Sequence, residues 1–126
     1  MSEYNLNLGA LAEKKAEEFL KNSGYKILHR NYRTKLGEVD IIAKDKDTIC
    51  FIEVKCRKSS RFGSALEAVS GLKQKQISKV AVSFLKDKHL LDKKARFDVV
   101  ALDYSGPQGK INLIKDAFEL DARFSY

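Results

Sequence analysis

Two runs of sheet-forming residues, GEVDIIAK at 37–44 and TICFIEVKCR at 48–57, are separated only by Asp45-Lys46-Asp47. Runs this rich in Ile and Val, joined by so short a polar break, specify an antiparallel hairpin. A turn about Lys46 and Asp47 sets Val39 opposite Val54, Ile41 opposite Ile52 and Ala43 opposite Cys50 on one face. The other face pairs Glu38 with Lys55, Asp40 with Glu53 and Ile42 with Phe51. The first face is apolar throughout, whereas the second is apolar near the turn and charged at its far end. A slip of one residue would set Asp40 against Ile52 and Val39 against Glu53, so patterning selects the register that brings the carboxylates together.

Around this hairpin the chain reads as α-β-β-β-α-β-β. Leu8, Leu11, Ala12, Ala16, Phe19 and Leu20 recur at helical spacing, with Asn7 as N-cap and Gly24 just past the end, which predicts a helix over 8–22. Strands are predicted over Tyr25–Arg33, Glu38–Lys44, Thr48–Arg57, Phe97–Asp103 and Ile111–Ile114. The tail from Asp116 fits a short helix or a strand equally well. Ser64-Ala65-Leu66-Glu67 has the form of a capping box, and Leu66, Val69, Ile77, Val80, Ala81 and Phe84 continue it as one apolar stripe to about Lys86. This second helix would cross over between parallel strands, giving an α/β fold with a mixed central sheet flanked by helices.

The chain has 126 residues, 24 Lys plus Arg against 17 Asp plus Glu, and a formal net charge of +7. That length fits a single domain over 1–126 with a core of its own. The positive balance favours a polyanionic partner such as nucleic acid, although by itself it fits a solubilising surface as well. No stretch reaches the roughly 18 to 20 apolar residues of a spanning helix, and the N-terminus has neither the basic start nor the apolar run of a signal peptide. A cytoplasmic protein without membrane association is expected. Cys50 and Cys56 lie on one strand at even spacing, too far apart to bridge, and read as two buried, reduced thiols. No zinc-ligand spacing occurs, and His29 and His89 stand in unrelated contexts.

Directly opposed Asp40 and Glu53 would repel unless a proton or a cation lay between them. Two carboxylates with a nearby carbonyl, that of Val54, suit a hard divalent cation, Mg²⁺ or Mn²⁺. With Lys55 one pleat along, such a site could activate water against a phosphodiester. The competing reading is a surface ion-pair network worth about 0.2 to 1 kcal/mol per pair, and spacing alone does not separate the two. Two helical positions favour the site. Lys73 falls four residues after Val69 and four before Ile77, an inward position where Lys is not normally placed, with Gln74 at the edge of the same stripe. Glu13 borders the apolar face of the first helix, where a solvated Glu is the commoner case. Arg96 and Asp98 share a strand face and read as a structural ion pair.

The ordered set LGALAEKKAEEFL, GYKILHRNYR, GEVDIIA, FIEVKCR, FGSALEAVSGLKQKQI and RFDVVAL resembles the YraN-like family of uncharacterised bacterial proteins, from about Leu8 to Phe118. That family looks like a branch of the PD-(D/E)xK, restriction endonuclease-like nucleases, and within them like Holliday junction resolvases. The resemblance implies a restriction endonuclease-like core. It places Asp40 at the motif aspartate, Glu53 and Lys55 at the E-x-K pair, and Glu13 at the N-terminal helix glutamate that assists the metal. Lys73 and Gln74 fall where related nucleases carry a polar residue, while Val39 stands where the motif name has Pro.

The expectation is a Mg²⁺- or Mn²⁺-dependent endonuclease of structured or branched DNA. Asp40, Glu53, the Val54 carbonyl and Glu13 would hold the metal, and Lys55 would orient the attacking water. Arg57, Lys58, Arg61, Lys73, Gln74 and Lys75 would hold the phosphate backbone without reading bases. A resolvase-like role implies a homodimer. The alternatives are a nucleic-acid-binding module, or a partner in a DNA-processing assembly, without turnover, and a basic adaptor for an acidic protein.

Overall fold

The computed structural model describes residues 2–57, 70–104 and 109–119, with side chains of the first segment described from Gly9 to Cys56. The elements are α1 (Ser2–Asn22), β1 (Lys26–Thr34), β2 (Gly37–Asp45), β3 (Thr48–Arg57), α2 (Gly71–Asp87), β4 (Ala95–Asp103) and β5 (Lys110–Phe118). The strands form one mixed sheet in sequence order. β3 and β4 run parallel while every other neighbouring pair is antiparallel.

The two helices lie on opposite faces of this sheet. α1 presents Ala12, Ala16 and Leu20 to Ile41, Ala43, Cys50, Ile52, Val100 and Leu102. Its stripe is narrower than expected, since Leu11 is 55% exposed; two alanines at i and i+4 let the helix lie close to the sheet. α2 presents Ile77, Val80, Ala81, Phe84 and Leu85 to Val39, Ile42, Ile49, Phe51 and Phe97.

Element ends show where local chemistry decides. α1 begins at Ser2, so Asn7 lies inside the helix; residues 2–6 contain neither Gly nor Pro to stop it. Its C-terminus closes as a Schellman turn. Gly24 has φ +96°, its N–H donates to the Lys21 carbonyl, and the Tyr25 N–H donates to the Leu20 carbonyl at 2.9 Å. The expected helix from Ser64 to Lys86 is not continuous. Ser70 is extended (φ −62°, ψ 160°) and caps α2 by accepting from the Lys73 N–H. Ser64, Leu66, Glu67 and Val69 lie outside the described residues. The tail from Asp116 is strand: β5 runs on to Phe118 past an irregularity, with Asp116 at φ +54°.

One end of the sheet is tied by the ion pair expected from sequence. Asp98 is fully buried and accepts from Arg96 Nε at 2.9 Å, the Tyr25 hydroxyl at 3.0 Å and the Asp116 N–H at 2.9 Å. Arg96 also donates to Asp45 at 2.9 Å, so a single guanidinium joins the last residue of β2 to β4. His29 packs edge-on against Tyr32 and Phe84, and His89 is an exposed residue at φ +57° after α2. Neither cysteine forms a disulfide; Cys50 is buried, but Cys56 is exposed, beyond the last pairing of β3 with β2.

Candidate functional site

The charged cluster lies at the other end of the sheet, between the start of β2 and the end of β3. The hairpin register is as expected for Ile41–Ile52, Ile42–Phe51 and Ala43–Cys50. The ladder then stops at Ile41–Ile52, and the expected pairs Asp40–Glu53, Val39–Val54 and Glu38–Lys55 do not form. In their place the Val54 N–H donates to the Asp40 carboxylate, Oδ2, at 2.8 Å. A side chain that accepts from a strand amide lies in the plane of the sheet rather than above or below it.

The same break changes the faces. Val39 packs in the α2-side cluster with Ile42, whereas Val54 packs on the α1 side with Ile41 and Ile52. Strict alternation would place Val39 with Ile41, so the expected apolar face keeps Ile41, Ala43, Cys50, Ile52 and Val54 but loses Val39. On β1, Arg30 pairs with Ile41 and Tyr32 with Val39, but the intervening Asn31 and Asp40 are missing from the ladder. Asn31 has φ +49°, in the left-handed region that Asn tolerates best after Gly.

Glu53 extends on the α2 side and is 5% exposed. Its Oε1 lies 3.9 Å from Lys55 Nζ and 3.9 Å from Lys73 Nζ, beyond hydrogen-bond length but close enough for charge attraction. Its Oε2 is buried without a hydrogen-bond partner among the described residues. Burial, and then the neighbouring Asp40 charge, push the Glu53 carboxyl up to about 7, against the pull of Lys73 and Lys55. Asp40 is also raised, chiefly by burial, with the Val54 N–H and Lys73 opposing. Burial thus raises both carboxyls, and each opposes ionisation of the other.

On the α1 side, Glu13, Glu17, Arg30, Asn31 and Asp40 line a cleft of about 170 Å³. Burial and then Asp40 raise Glu13, while the Asn31 side chain, acting as a hydrogen-bond donor, lowers it. Glu17 is committed elsewhere. Arg30 Nε donates to it at 2.7 Å, and this bond holds its carboxyl well below the usual range.

The fold thus gathers Asp40, Glu53, Lys55 and Lys73, with Glu13 across the cleft. Gln74 is half-buried beside Lys73, and Lys75 is exposed on the same helix end. Arg57 ends β3, but its side chain, like Lys58 and Arg61, lies outside the described residues. Among the described residues, no three His, Cys, Asp or Glu side chains converge closely enough to hold a metal by themselves. No helix among them is long and apolar enough to cross a membrane. Sequence reasoning missed Asn31; its one signal is an Asn in the middle of a strand, where Asn is disfavoured.

Comparison with known proteins agrees with the resemblance seen in the motifs. The pattern of Uncharacterised protein family UPF0102 matches residues 12–102. The chain is similar to a UPF0102 protein of Syntrophus aciditrophicus (strain SB), 49% identical over 116 residues, 92% of this chain and 91% of that protein. A UPF0102 protein of Geobacter metallireducens is 46% identical over 120 residues, 95% of this chain and 98% of that protein. One from Desulforapulum autotrophicum is 44% identical over 121 residues, 96% of this chain and all of that protein. Over nearly its whole length, and through every strand that carries the carboxylates, this chain belongs to the UPF0102 (YraN) family.

Proposed function

We propose that the protein is a Mg²⁺- or Mn²⁺-dependent endonuclease of structured or branched DNA, built on a restriction endonuclease-like core. The observation that carries this reading is Glu53, buried beside the half-buried Asp40 and between Lys55 and Lys73, with its Oε2 left without a partner among the described residues. A purely structural network would satisfy that oxygen, because an orphaned buried acceptor costs about 1–3 kcal/mol.

The residues fit a hard cation. Glu53 Oε2 has no donor among the described residues, Asp40 Oδ2 accepts from the Val54 N–H, and the two carboxyls lie close enough to share a proton that a cation could replace. In extended backbone a residue's C=O points to the same side as its N–H, so the Val54 carbonyl is directed toward β2, where the ladder has ended. Two carboxylates and one carbonyl match the habit of Mg²⁺, which keeps several waters and takes few protein ligands; Glu13 would join through water. When bound, the ion would polarise the phosphoryl oxygen and lower the pKa of the attacking water.

The remaining chemistry belongs to the chain. Lys55, on the face of Glu53, orients the water and offsets charge on the phosphate. Lys73 and Gln74 project from the first turns of α2 to hold a phosphate oxygen, near a helix N-terminus whose dipole favours anions. Arg57, Lys58, Arg61 and Lys75 supply backbone contacts that carry no sequence information. Cutting paired strands of a junction calls for two such sites, hence a homodimer. A binder without turnover would gain nothing from two acids in the path of a phosphate, which would lower its affinity.

The test is to incubate purified protein with four-way junction, flap, single-stranded and linear duplex DNA in Mg²⁺ or Mn²⁺, beside Glu53→Ala and Lys55→Ala. Metal-dependent cleavage by wild type alone is expected. Binding without cleavage by wild type would instead establish a DNA-binding module. No binding even at low salt would point to a protein partner.

A further inference from the structure

Asn31 is unlike the residues around it in three respects. It is a non-glycine residue with a left-handed backbone in the middle of a nine-residue strand. It stands opposite Asp40, and the two are together absent from a ladder that has the same register on either side. Its side chain lines the same cleft as Glu13, placed to donate a hydrogen bond to it. Side chains change face as the strands pass this point. His29 and Tyr32, three residues apart, both contact Phe84 on the α2 side, and Ile42 and Val39, also three apart, both belong to the α2-side cluster. A regular strand would put residues three apart on opposite faces.

We propose that Asn31 is a positioning residue: its left-handed backbone takes Asp40 out of the β1–β2 ladder and turns its carboxylate into the plane between β2 and β3, while its amide steadies Glu13. The inference deepens the metal-site reading and rests on it for its functional meaning, but the geometric claim stands separately. With regular alternation, Asp40 would project from one face and could not accept from the Val54 N–H. Asn is suited to both tasks, since its short polar side chain tolerates the left-handed region and supplies a donor. Gly would keep the backbone and lose the donor. Val, β-branched, would strain the backbone and lose both.

The experiment compares wild type, Asn31→Gly and Asn31→Val by residue-resolved amide hydrogen exchange and by Mn²⁺ titration of the protein without DNA. Val54 amide exchange is expected to quicken about tenfold in Asn31→Val, with Phe51 and Val99 amides unchanged, and to stay close to wild type in Asn31→Gly. Mn²⁺ affinity should fall about tenfold in Asn31→Val and less in Asn31→Gly. If Asn31→Val does not fold, Asn31→Ala, which strains the same backbone less, takes its place with the same expectations. Equal Val54 protection in the strained variant and wild type overturns the proposal whatever the metal does. Val54 protection governed by Asn31 in a wild type that binds no Mn²⁺ overturns the metal reading and leaves the positioning role standing.

Discussion

Replacing Glu53 by Gln should make the metal-free protein more stable at alkaline pH. The side chain is buried, and its carboxyl is raised from 4.5 to about 7 by burial and by Asp40. Between those values the folded state holds a proton that the unfolded state has released, so wild-type stability falls as pH rises through this window. Below it both states are protonated and no penalty exists; above it the penalty is complete. At about 1.4 kcal/mol per pH unit it amounts to about 3 kcal/mol, comparable with what burying one large aliphatic side chain contributes. Gln has the same shape and no charge to desolvate, and Lys55 and Lys73 keep enough solvent contact to lose Glu53 cheaply, each side chain being about a third exposed. Urea denaturation in chelator at about pH 4 and about pH 8 reads the effect. The variant should match wild type closely at the lower pH and exceed it by up to about 3 kcal/mol at the higher. A variant less stable than wild type at the higher pH, or a gap that does not change with pH, would refute the claim that this carboxylate is held against its own desolvation.

Two further outcomes follow from the opposite end of the sheet and from α1. Arg96→Ala leaves the fully buried Asp98 carboxylate without its guanidinium and should cost about 3–5 kcal/mol, read as a large drop in urea midpoint. Gly24→Ala meets no atom within 4 Å, so its cost is backbone alone, about 1–2 kcal/mol at φ +96° by the same measurement.

What the sequence made legible were features written in a regular period. The β-branched runs placed β2 and β3, alternation put Glu53 and Lys55 on one face, and helical spacing turned Lys73 inward, where it meets Glu53. The Arg96–Asp98 pair followed from the same period of two. What was illegible were breaks in period. Asp40 was expected to face Glu53 across a continued β2–β3 ladder; that ladder stops at Ile41–Ile52, beside a left-handed Asn31 on β1 where Asp40 also leaves the β1–β2 ladder, and no pattern within β2 itself records this. The start of α2 failed for a related reason. Ser64-Ala65-Leu66-Glu67 and Ser70 are both good N-cap signals, and composition does not say which one the chain uses to begin the helix that packs on the sheet. Cys56 shared the parity of Cys50, but parity reports the face and not where the neighbouring strand stops covering it.

The parallel pairing of β3 with β4 has a consequence for the order in which the molecule assembles. β1–β2, β2–β3 and β4–β5 are each closed by a short connection, but residues 58–94 separate the end of β3 from the start of β4. Loop closure over that span makes the β3–β4 junction the late event, and the hairpin carrying Asp40 and Glu53 can form before it. Until β4 docks against Glu53–Val99 and Val54–Val100, both carboxylates remain hydrated and unstrained. The protein thus incurs the desolvation of its acids in the closing step, when the cores on both faces of the sheet are completed and can outweigh it. A nascent chain released before Ala95 emerges would carry every candidate acid without the full burial that raises their pKa.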